Sequence, residues 1–317
     1  MIKRIIIIFV FATVLGCKNN KEVNGKLKVV VTTTMLTDLV KNIGGDLIEL
    51  QGLMGAGVDP HLYKASEGDV SKLFNADVIF YNGLHLEGKL VAVFEKMETQ
   101  ITTVALGEFL AKDGLIGSDY FASNYDPHVW FNIQYFKEFS DKVTSVLSEK
   151  DPKNAASYTV NNLAFQQELD LLQTTVVKTI ATLAPEKRIL VTAHDAFNYF
   201  GKSYGFKVLG LQGLSTATEA GVQDVQKLSG YIIANKVKAI FIESSVPRRT
   251  IEALEAAVLS KGHQVSIGGS LYSDALGDAG SVEGTYVGMF LYNVKTIVNA
   301  LHLSLIHISE PTRLAEI

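Results

Sequence analysis

The stretch DPKNAASYTVNNLAFQQELDLLQTTVVKTIATLAP (151–185) decides the architecture of this 317-residue chain. Asp151-Pro152 is a typical helix start, with Asp as N-cap and Pro at the first helical position. No Gly or Pro follows until Pro185, so 33 residues can form one helix of about 50 Å. Apolar residues recur largely at helical spacing, which predicts one buried stripe. They are Leu163, Leu169, Leu172, Val176, Ile180 and Leu183. We interpret the helix as a rigid connection between two lobes.

Strand and helix patterns alternate before this helix. Apolar, β-branched runs are typical of strands buried in a parallel sheet. These runs are KLKVVVTTT (26–34), LIELQGL (47–53) and DVIFYNG (77–83). Helices are predicted from Thr37 to Ile43 and from about Ser66.

The same alternation follows the helix. Strands are predicted at KRILVTAH (187–194), FKVLGLQG (206–213), KAIFIES (238–244) and HQVSIGG (263–269), and helices at Val222–Asn235 and Arg249–Leu259. The pattern predicts an α/β protein in which two βα lobes with parallel sheets, 26–150 and 186–302, are joined by the helix 151–185.

The tripeptide Asp-Pro-His occurs twice, at 59–61 and 126–128. With 6 Pro and 7 His in 317 residues, chance predicts roughly 0.13 Pro-His pairs. Pro stiffens the backbone and disfavours helix before it, so His61 and His128 lie on extended chain suited to presenting an imidazole to a metal. Asp59 and Asp126 either orient these imidazoles or only shape the turn before Pro, and the sequence leaves both roles open.

Two further residues follow predicted strands of the second lobe. His194 ends the first strand, and Asp274 lies in the loop LYSDALGD (271–278) after the last. Ligands of open α/β sheets bind beyond the carboxyl ends of the strands, so these residues are expected to meet the two histidines in an interlobe cleft. Three imidazoles and a carboxylate suit Zn²⁺ or a similar divalent ion. Spacing alone does not separate ligands from hydrogen-bonded cleft residues.

Several neighbouring side chains are weaker candidates. Glu243 ends a predicted strand at the same crevice and can contact a ligand from behind, although we expect a structural role. His85 lies near the cleft and is not expected to be a ligand, and His263 is expected on the surface. Trp130 and Phe131 are expected to pack beneath the second Asp-Pro-His.

The N-terminus predicts export. Lys3 and Arg4 precede an apolar run at 5–16 that is too short to span a bilayer and that ends at Cys17, the only cysteine. VLGC (14–17) resembles a lipobox. We therefore expect a lipoprotein signal peptide (1–17) with lipid attachment at Cys17 and a polar tether (18–25); a plain signal peptide with an incidental Cys is the alternative. The protein is then extracytoplasmic, without disulfides, and anchored to a bacterial membrane on its periplasmic side or at the cell surface.

The C-terminal segment LSLIHISEPTR (303–313) reads like a translated sequencing adaptor. We expect residues 303–317 to be a non-native tail, and His307 is excluded as a site residue. The net charge of −4 is small and spread out, without a basic stripe, which argues against a nucleic-acid partner. We expect a monomer.

Long motifs resemble one known family. They are GVDPHLYKASEGDV (57–70), NGLHLEGK (82–89), DPHVWFN (126–132), VTAHDAFNYFGKSYGF (191–206), LQGLSTATEAG (211–221), IFIESSVPRRT (240–250) and IGGSLYSDALGDAGSVEGTYVGM (267–289). From about Lys26 to His302 the chain resembles the TroA-like metal-binding receptors of ABC transporters. The resemblance implies two βα lobes joined by a long helix, and an ABC permease and its cytoplasmic ATPase as partners.

The same resemblance implies that the metal ligands are His61, His128, His194 and Asp274. Many manganese-selective relatives have Glu in place of His194. Zinc-specific relatives often carry a His-rich loop before the second ligand, and segment 111–126 contains no His.

Three functions are compared. The first is a receptor that captures a divalent metal and delivers it to a permease; the others are a zinc hydrolase with Asp274 as base and a surface adhesin. A site closed by four protein ligands favours the receptor, because catalytic zinc keeps a position for water. Nitrogen-rich ligation favours Zn²⁺, with Mn²⁺ next and Fe²⁺ possible. Binding is expected to weaken as pH falls through about 6.5.

Overall fold

The computed structural model describes residues 25–118 and 121–302. The predicted signal peptide with Cys17, the tether except for its last residue, and the 303–317 tail lie outside the described residues. Within those ranges, no helix combines the length and the apolarity needed to cross a bilayer.

A four-stranded parallel sheet in the order β2-β1-β3-β4 forms the centre of the first lobe. Its strands are β1 (Leu27–Val31), β2 (Ile48–Gly52), β3 (Val78–Tyr81) and β4 (Thr102–Ala105). Val29 and Val31 join one apolar cluster while Val30 joins another, so both faces of β1 are buried. Three strands are confirmed with shorter bounds, and β4 was not predicted.

Four helices complete this lobe. They are α1 (Thr34–Gly44), α2 (Glu67–Phe74), α3 (Val91–Glu98) and α4 (Ile133–Lys150). α1 begins three residues before the predicted Thr37 because the Thr33 side chain caps it. The predicted start near Ser66 is confirmed: Ser66 and Asp69 form a reciprocal capping box.

The long helix α5 spans Ala155–Ala181, 27 residues and about 40 Å. It is shorter than the predicted 151–185 because Pro152–Asn154 form a 3₁₀ turn, and the helix ends before Thr182. Asp151 does not cap it, since its carboxylate accepts hydrogen bonds from the side chains of Asn154 and Tyr158. α5 packs against α1 and α4 of the first lobe and also reaches the last helix of the second.

The predicted buried stripe of this helix needs one correction. Leu163 is 57% exposed, whereas Phe165 is buried. Leu163 lies six residues before Leu169, which places it about 120° around the helix from the buried side. The other five predicted positions are buried.

The second lobe repeats the βα alternation. Its strands β5 (Ile189–His194) and β6 (Lys207–Gln212) pair in parallel, as do β7 (Ala239–Glu243) and β8 (Ser266–Leu271), and β5 lies beside β7. The helices are α6 (Asn198–Tyr204), α7 (Val222–Ala234), α8 (Arg249–Leu259) and α9 (Tyr286–His302). The strand predicted at 263–269 begins three residues later, at Ser266.

One apolar core runs through both lobes. Phe136 of α4 stacks on Tyr286 of α9 with ring centroids 3.8 Å apart, and Phe131 contacts both Phe197 and Phe290 of the second lobe. Separating the lobes would expose these aromatic rings to water. The fold therefore resists wide opening.

Candidate metal centre

The two Asp-Pro-His tripeptides form the same local turn. Oδ1 of Asp59 accepts the backbone N–H of His61 at 2.8 Å, and Oδ1 of Asp126 accepts that of His128 at 2.9 Å. A carboxylate that accepts the backbone N–H two residues later forms an Asx-turn. The intervening Pro has a fixed φ and so restricts this turn to one conformation. Both histidines thus leave their turns in a defined direction.

The two aspartates differ in their other contacts. Oδ1 of Asp126 also lies 2.7 Å from Nδ1 of His128, which leaves Nε2 of this imidazole to face the cleft. Asp126 therefore shapes the turn and orients the ring, the two roles that the sequence left open. Asp59 shapes its turn and accepts a hydrogen bond from the Thr216 hydroxyl of the second lobe.

His194 is held by a carboxylate from the adjacent strand. β5 and β7 end side by side, so Glu243 faces His194 with both oxygens: Oε1 accepts the backbone N–H at 2.9 Å, and Oε2 lies 2.6 Å from Nδ1. Nε2 of His194 then points away, to within 3.1 Å of Oδ2 of Asp274. Glu243 thus contacts the ring of this ligand candidate directly.

The loop that carries Asp274 follows β8 of the second lobe but is fastened to the first. The indole Nε1 of Trp130 donates to the carbonyl of Ser273 at 3.0 Å, and Thr34 accepts the N–H of Leu276 at 2.8 Å. These bonds fix the backbone on both sides of Asp274. The role of Thr34 has no signal in the sequence, because it depends on contact with a residue 242 positions away.

The four ligand candidates converge on one point. One nitrogen or oxygen from each of His61, His128, His194 and Asp274 lies within 4.8 Å of the others. Nε2 of His128 is 3.3 Å from Nε2 of His61 and 3.6 Å from Oδ1 of Asp274. Tetrahedral ligands about 2.1 Å from a zinc ion lie about 3.4 Å apart, which matches this spacing.

Burial and missing hydrogen bonds indicate that this cluster suits a cation. Each of the four side chains is at most 4% exposed. Within the described part of the chain, neither carboxylate oxygen of Asp274 nor Nε2 of His194 finds a hydrogen-bond partner. Buried carboxylates are normally paired, hydrogen-bonded or metal-bound, so the donor set fits a divalent metal.

The electrostatics of the metal-free site are unequal. Burial lowers the pKa of His61 to about 3. Burial alone would also lower the pKa of His194, but Asp274 and Glu243 raise it well above its ordinary value. Burial alone would raise the pKa of Asp274, but the neighbouring histidines hold it below the usual range. His194 and Asp274 therefore form the charged pair in the metal-free protein.

The remaining candidates lie outside the cluster. His85 is exposed, and His263 is half-buried with Nε2 2.9 Å from the carbonyl oxygen of Val237. Trp130 makes an edge contact with the His128 ring at 5.3 Å between centroids, and the neighbouring Phe131 packs into the interlobe core.

Sequence reasoning missed two supports of the second Asp-Pro-His. The side-chain amide of Asn82 donates to the carbonyl of Pro127 at 3.0 Å, and Asn198 donates to Asp126 at 2.9 Å. Asn82 lies in the motif NGLHLEGK and Asn198 in VTAHDAFNYFGKSYGF, so both stood in stretches quoted above without an assigned role.

Comparison with known proteins identifies the family to which this chain belongs. The family described as "Zinc-uptake complex component A periplasmic" matches residues 29–300. The chain belongs to this family. Zinc-binding protein TroA of Treponema pallidum (strain Nichols) is 48% identical over 278 residues, which cover 88% of this chain and 90% of TroA. Its solved structure matches with a TM-score of 0.85 over 87% of this chain and 99% of that one.

Other similar proteins are named for manganese rather than zinc. Manganese-binding lipoprotein MntA of Bacillus subtilis (strain 168) is 44% identical over 298 residues, covering 93% of this chain and 97% of MntA. A Mn-bound periplasmic metal binding protein of Candidatus Liberibacter asiaticus matches with a TM-score of 0.75 at 26% identity, covering 86% and 99%. The predicted α/β architecture with a long connecting helix is confirmed.

Proposed function

We propose that this protein is an extracytoplasmic receptor that binds one divalent transition metal between its lobes and delivers it to an ABC permease driven by a cytoplasmic ATPase. The observation that carries the proposal is a buried carboxylate, Asp274, whose two oxygens face three imidazoles and accept no well-formed hydrogen bond from the described residues. We assign His61, His128, His194 and Asp274 as the ligands.

The donor set supports capture rather than catalysis. Four protein ligands at tetrahedral spacing fill the coordination positions of zinc, whereas a hydrolase needs one position for water. Asp274 would be the base of a hydrolase, yet here it lies among the imidazoles as a fourth donor. Family membership also supports a transport role.

Zn²⁺ is the proposed cargo, with Mn²⁺ second and Fe²⁺ possible. Three nitrogens and one oxygen favour zinc by intrinsic affinity, and the relatives carry zinc or manganese in their names. We further propose that Cys17 is the site of lipid attachment and that the anchored receptor acts as a monomer outside the cytoplasmic membrane.

Release is proposed to involve small shifts of loops rather than wide opening. The interlobe core of stacked aromatic rings would otherwise have to separate. The cross-lobe bonds of Asp59 with Thr216 and of Asp126 with Asn198 lie beside the ligands and are the contacts that such a shift would break.

Elemental analysis of protein purified from its native host, with competitive Zn²⁺ and Mn²⁺ titration, tests the proposal. Wild type is expected to carry about one metal ion per chain, and His194→Ala to bind zinc at least about a hundredfold more weakly. His263→Ala, an imidazole outside the cluster, is the matched control. A quadruple alanine variant of the four ligands that keeps its ion would overturn the proposal.

A further inference from the structure

A left-handed turn stands at the rim of the site. Gly83, Leu84 and His85 have φ values of 77°, 51° and 62°. This conformation suits Gly but is unfavourable for most other L-residues, and Leu84 is buried in it. Backbone strain of this kind persists only where surrounding contacts determine it, and it often marks a functional position.

The contacts that determine the turn are present. The buried carboxylate of Glu87 accepts the N–H groups of Asn82 at 2.8 Å and Gly83 at 3.2 Å, and the Thr32 hydroxyl at 2.7 Å. These bonds close the loop around Leu84, whose side chain fills the core below it.

The turn places the imidazole of His85 on the protein surface in a fixed position. His85 is exposed, and its ring lies over Gly88: a Cβ added there would come within 3.0 Å of Nε2. The turn therefore fixes the position of this exposed imidazole relative to the rest of the loop.

A single aromatic side chain joins this imidazole to the buried site. Phe121 makes edge contacts with His85 at 6.1 Å and with His61 at 6.5 Å between ring centroids. His61 is also the most exposed of the four ligand candidates, at 4%, whereas His128 and His194 are at 0%. His61 is therefore the ligand candidate nearest to water, and Phe121 lies beside it.

We propose that His85 is an entry ligand: it captures a hydrated divalent cation at the surface and transfers it past the edge of Phe121 to Nε2 of His61. This inference rests on the proposed function and deepens it. His85 is not one of the four assigned ligands, so it changes the rates of metal entry and exit but not the stability of the bound complex. It therefore speeds association and dissociation by the same factor and leaves Kd unchanged.

Stopped-flow mixing of the full chain with ZnSO₄ tests the inference, with fluorescence of Trp130, the single tryptophan, as the signal. Dissociation is measured by transfer of zinc to excess chelator. His85→Asn removes the imidazole but keeps a residue that tolerates positive φ, and His85→Gly relieves the turn entirely. Both rates are expected to fall about tenfold in each variant, because the raised local ion concentration is lost. Lys89→Arg, an exposed change in the same loop that keeps the charge, is the matched control and is expected to leave both rates unchanged.

Phe121→Ala provides the opposite perturbation. Removing the ring between the two imidazoles is expected to raise both rates. Unchanged rates in both His85 variants would overturn the inference, and so would a weaker Kd at an unchanged association rate, which marks a structural role. Either result leaves the proposed function intact as long as wild type binds zinc. Failure of wild type to bind zinc would instead contradict the proposed function.

Discussion

Glu243→Gln is expected to weaken zinc binding far more than its small change in shape suggests. Both oxygens of Glu243 face nitrogens of His194: one accepts the backbone N–H, and the other lies 2.6 Å from Nδ1. When Nε2 binds a metal, Nδ1 carries a proton and requires an acceptor. Gln supplies one acceptor oxygen and one NH₂ group, so one of the two N–H groups is left facing another donor, between side chains that are both 0% exposed.

The magnitude follows from that unpaired group. A buried donor without an acceptor costs about 1–3 kcal/mol, and loss of a carboxylate behind a metal-bound histidine typically costs 10–100-fold in affinity, about 1.4–2.8 kcal/mol. Competitive titration against a zinc chelator of known affinity measures the change. We expect Kd to rise within this range while the fold, checked by circular dichroism, is retained.

Asp126→Asn is the matched comparison. A single oxygen of Asp126, Oδ1, serves both the backbone N–H and Nδ1 of His128, so an Asn side chain keeps both contacts. The remaining NH₂ meets the amide of Asn198, which can turn over to offer its oxygen at the cost of its second hydrogen bond, to the carbonyl of Asp195. The expected loss is below about fivefold. Equal losses in the two variants, or wild-type affinity in Glu243→Gln, would refute the reasoning.

Three further predictions concern protons and the supporting tryptophan. The pKa of His194 is raised in the metal-free protein, so zinc must displace its proton: calorimetry at pH 7 in buffers of different ionisation enthalpy should show about one proton released from this residue, and affinity should rise with pH until that pKa is passed. If wild type released no proton on binding zinc, the assignment of His194 and Asp274 as a charged pair would be contradicted. The pKa of His61 is about 3 when folded and about 6.5 when unfolded, so its stabilisation of the metal-free protein is present above pH 6.5 and is lost as pH falls toward 3. Urea unfolding should show a loss of about 2 kcal/mol by pH 5 that His61→Gln removes; an equal acid loss in the variant would contradict this. Trp130→Phe deletes the hydrogen bond to Ser273 and should weaken zinc binding by about 3–10-fold in the same chelator titration, and unchanged affinity would show that this bond does not position Asp274.

Much of the fold was predictable because its signals are local. The strands at β1, β3, β5 and β7 are short apolar runs, and the helix after Ser66 starts at a reciprocal cap. Prediction failed where the local signal is weak: β4 has the sequence TTVA, of which only Val104 is buried. The 151–185 stretch reads as one helix, but Pro152 directs its first turn into a 3₁₀ conformation that periodicity does not reveal.

The sequence by itself determined the local parts of the candidate site. Each Asp-Pro-His builds its own turn through a hydrogen bond between residues two positions apart, and that bond is present in both copies. The expectation of extended chain at the two histidines is wrong, because His61 lies in a turn and His128 precedes a 3₁₀ turn. The resemblance to a known family supplied the ligand set. It did not supply the contacts that hold the ligands.

Only the tertiary structure decided those contacts. Glu243 reaches His194 across 49 residues, Trp130 reaches Ser273 across 143, and Thr34 reaches Leu276 across 242. Glu243 was a candidate from the sequence because it ends a predicted strand at the same crevice. The other two pairs have no signal in their own neighbourhood, because each depends on how two sheets and a shared aromatic core pack against each other. That packing is a sum of many small burial terms over the whole chain, and it places four buried side chains around one point.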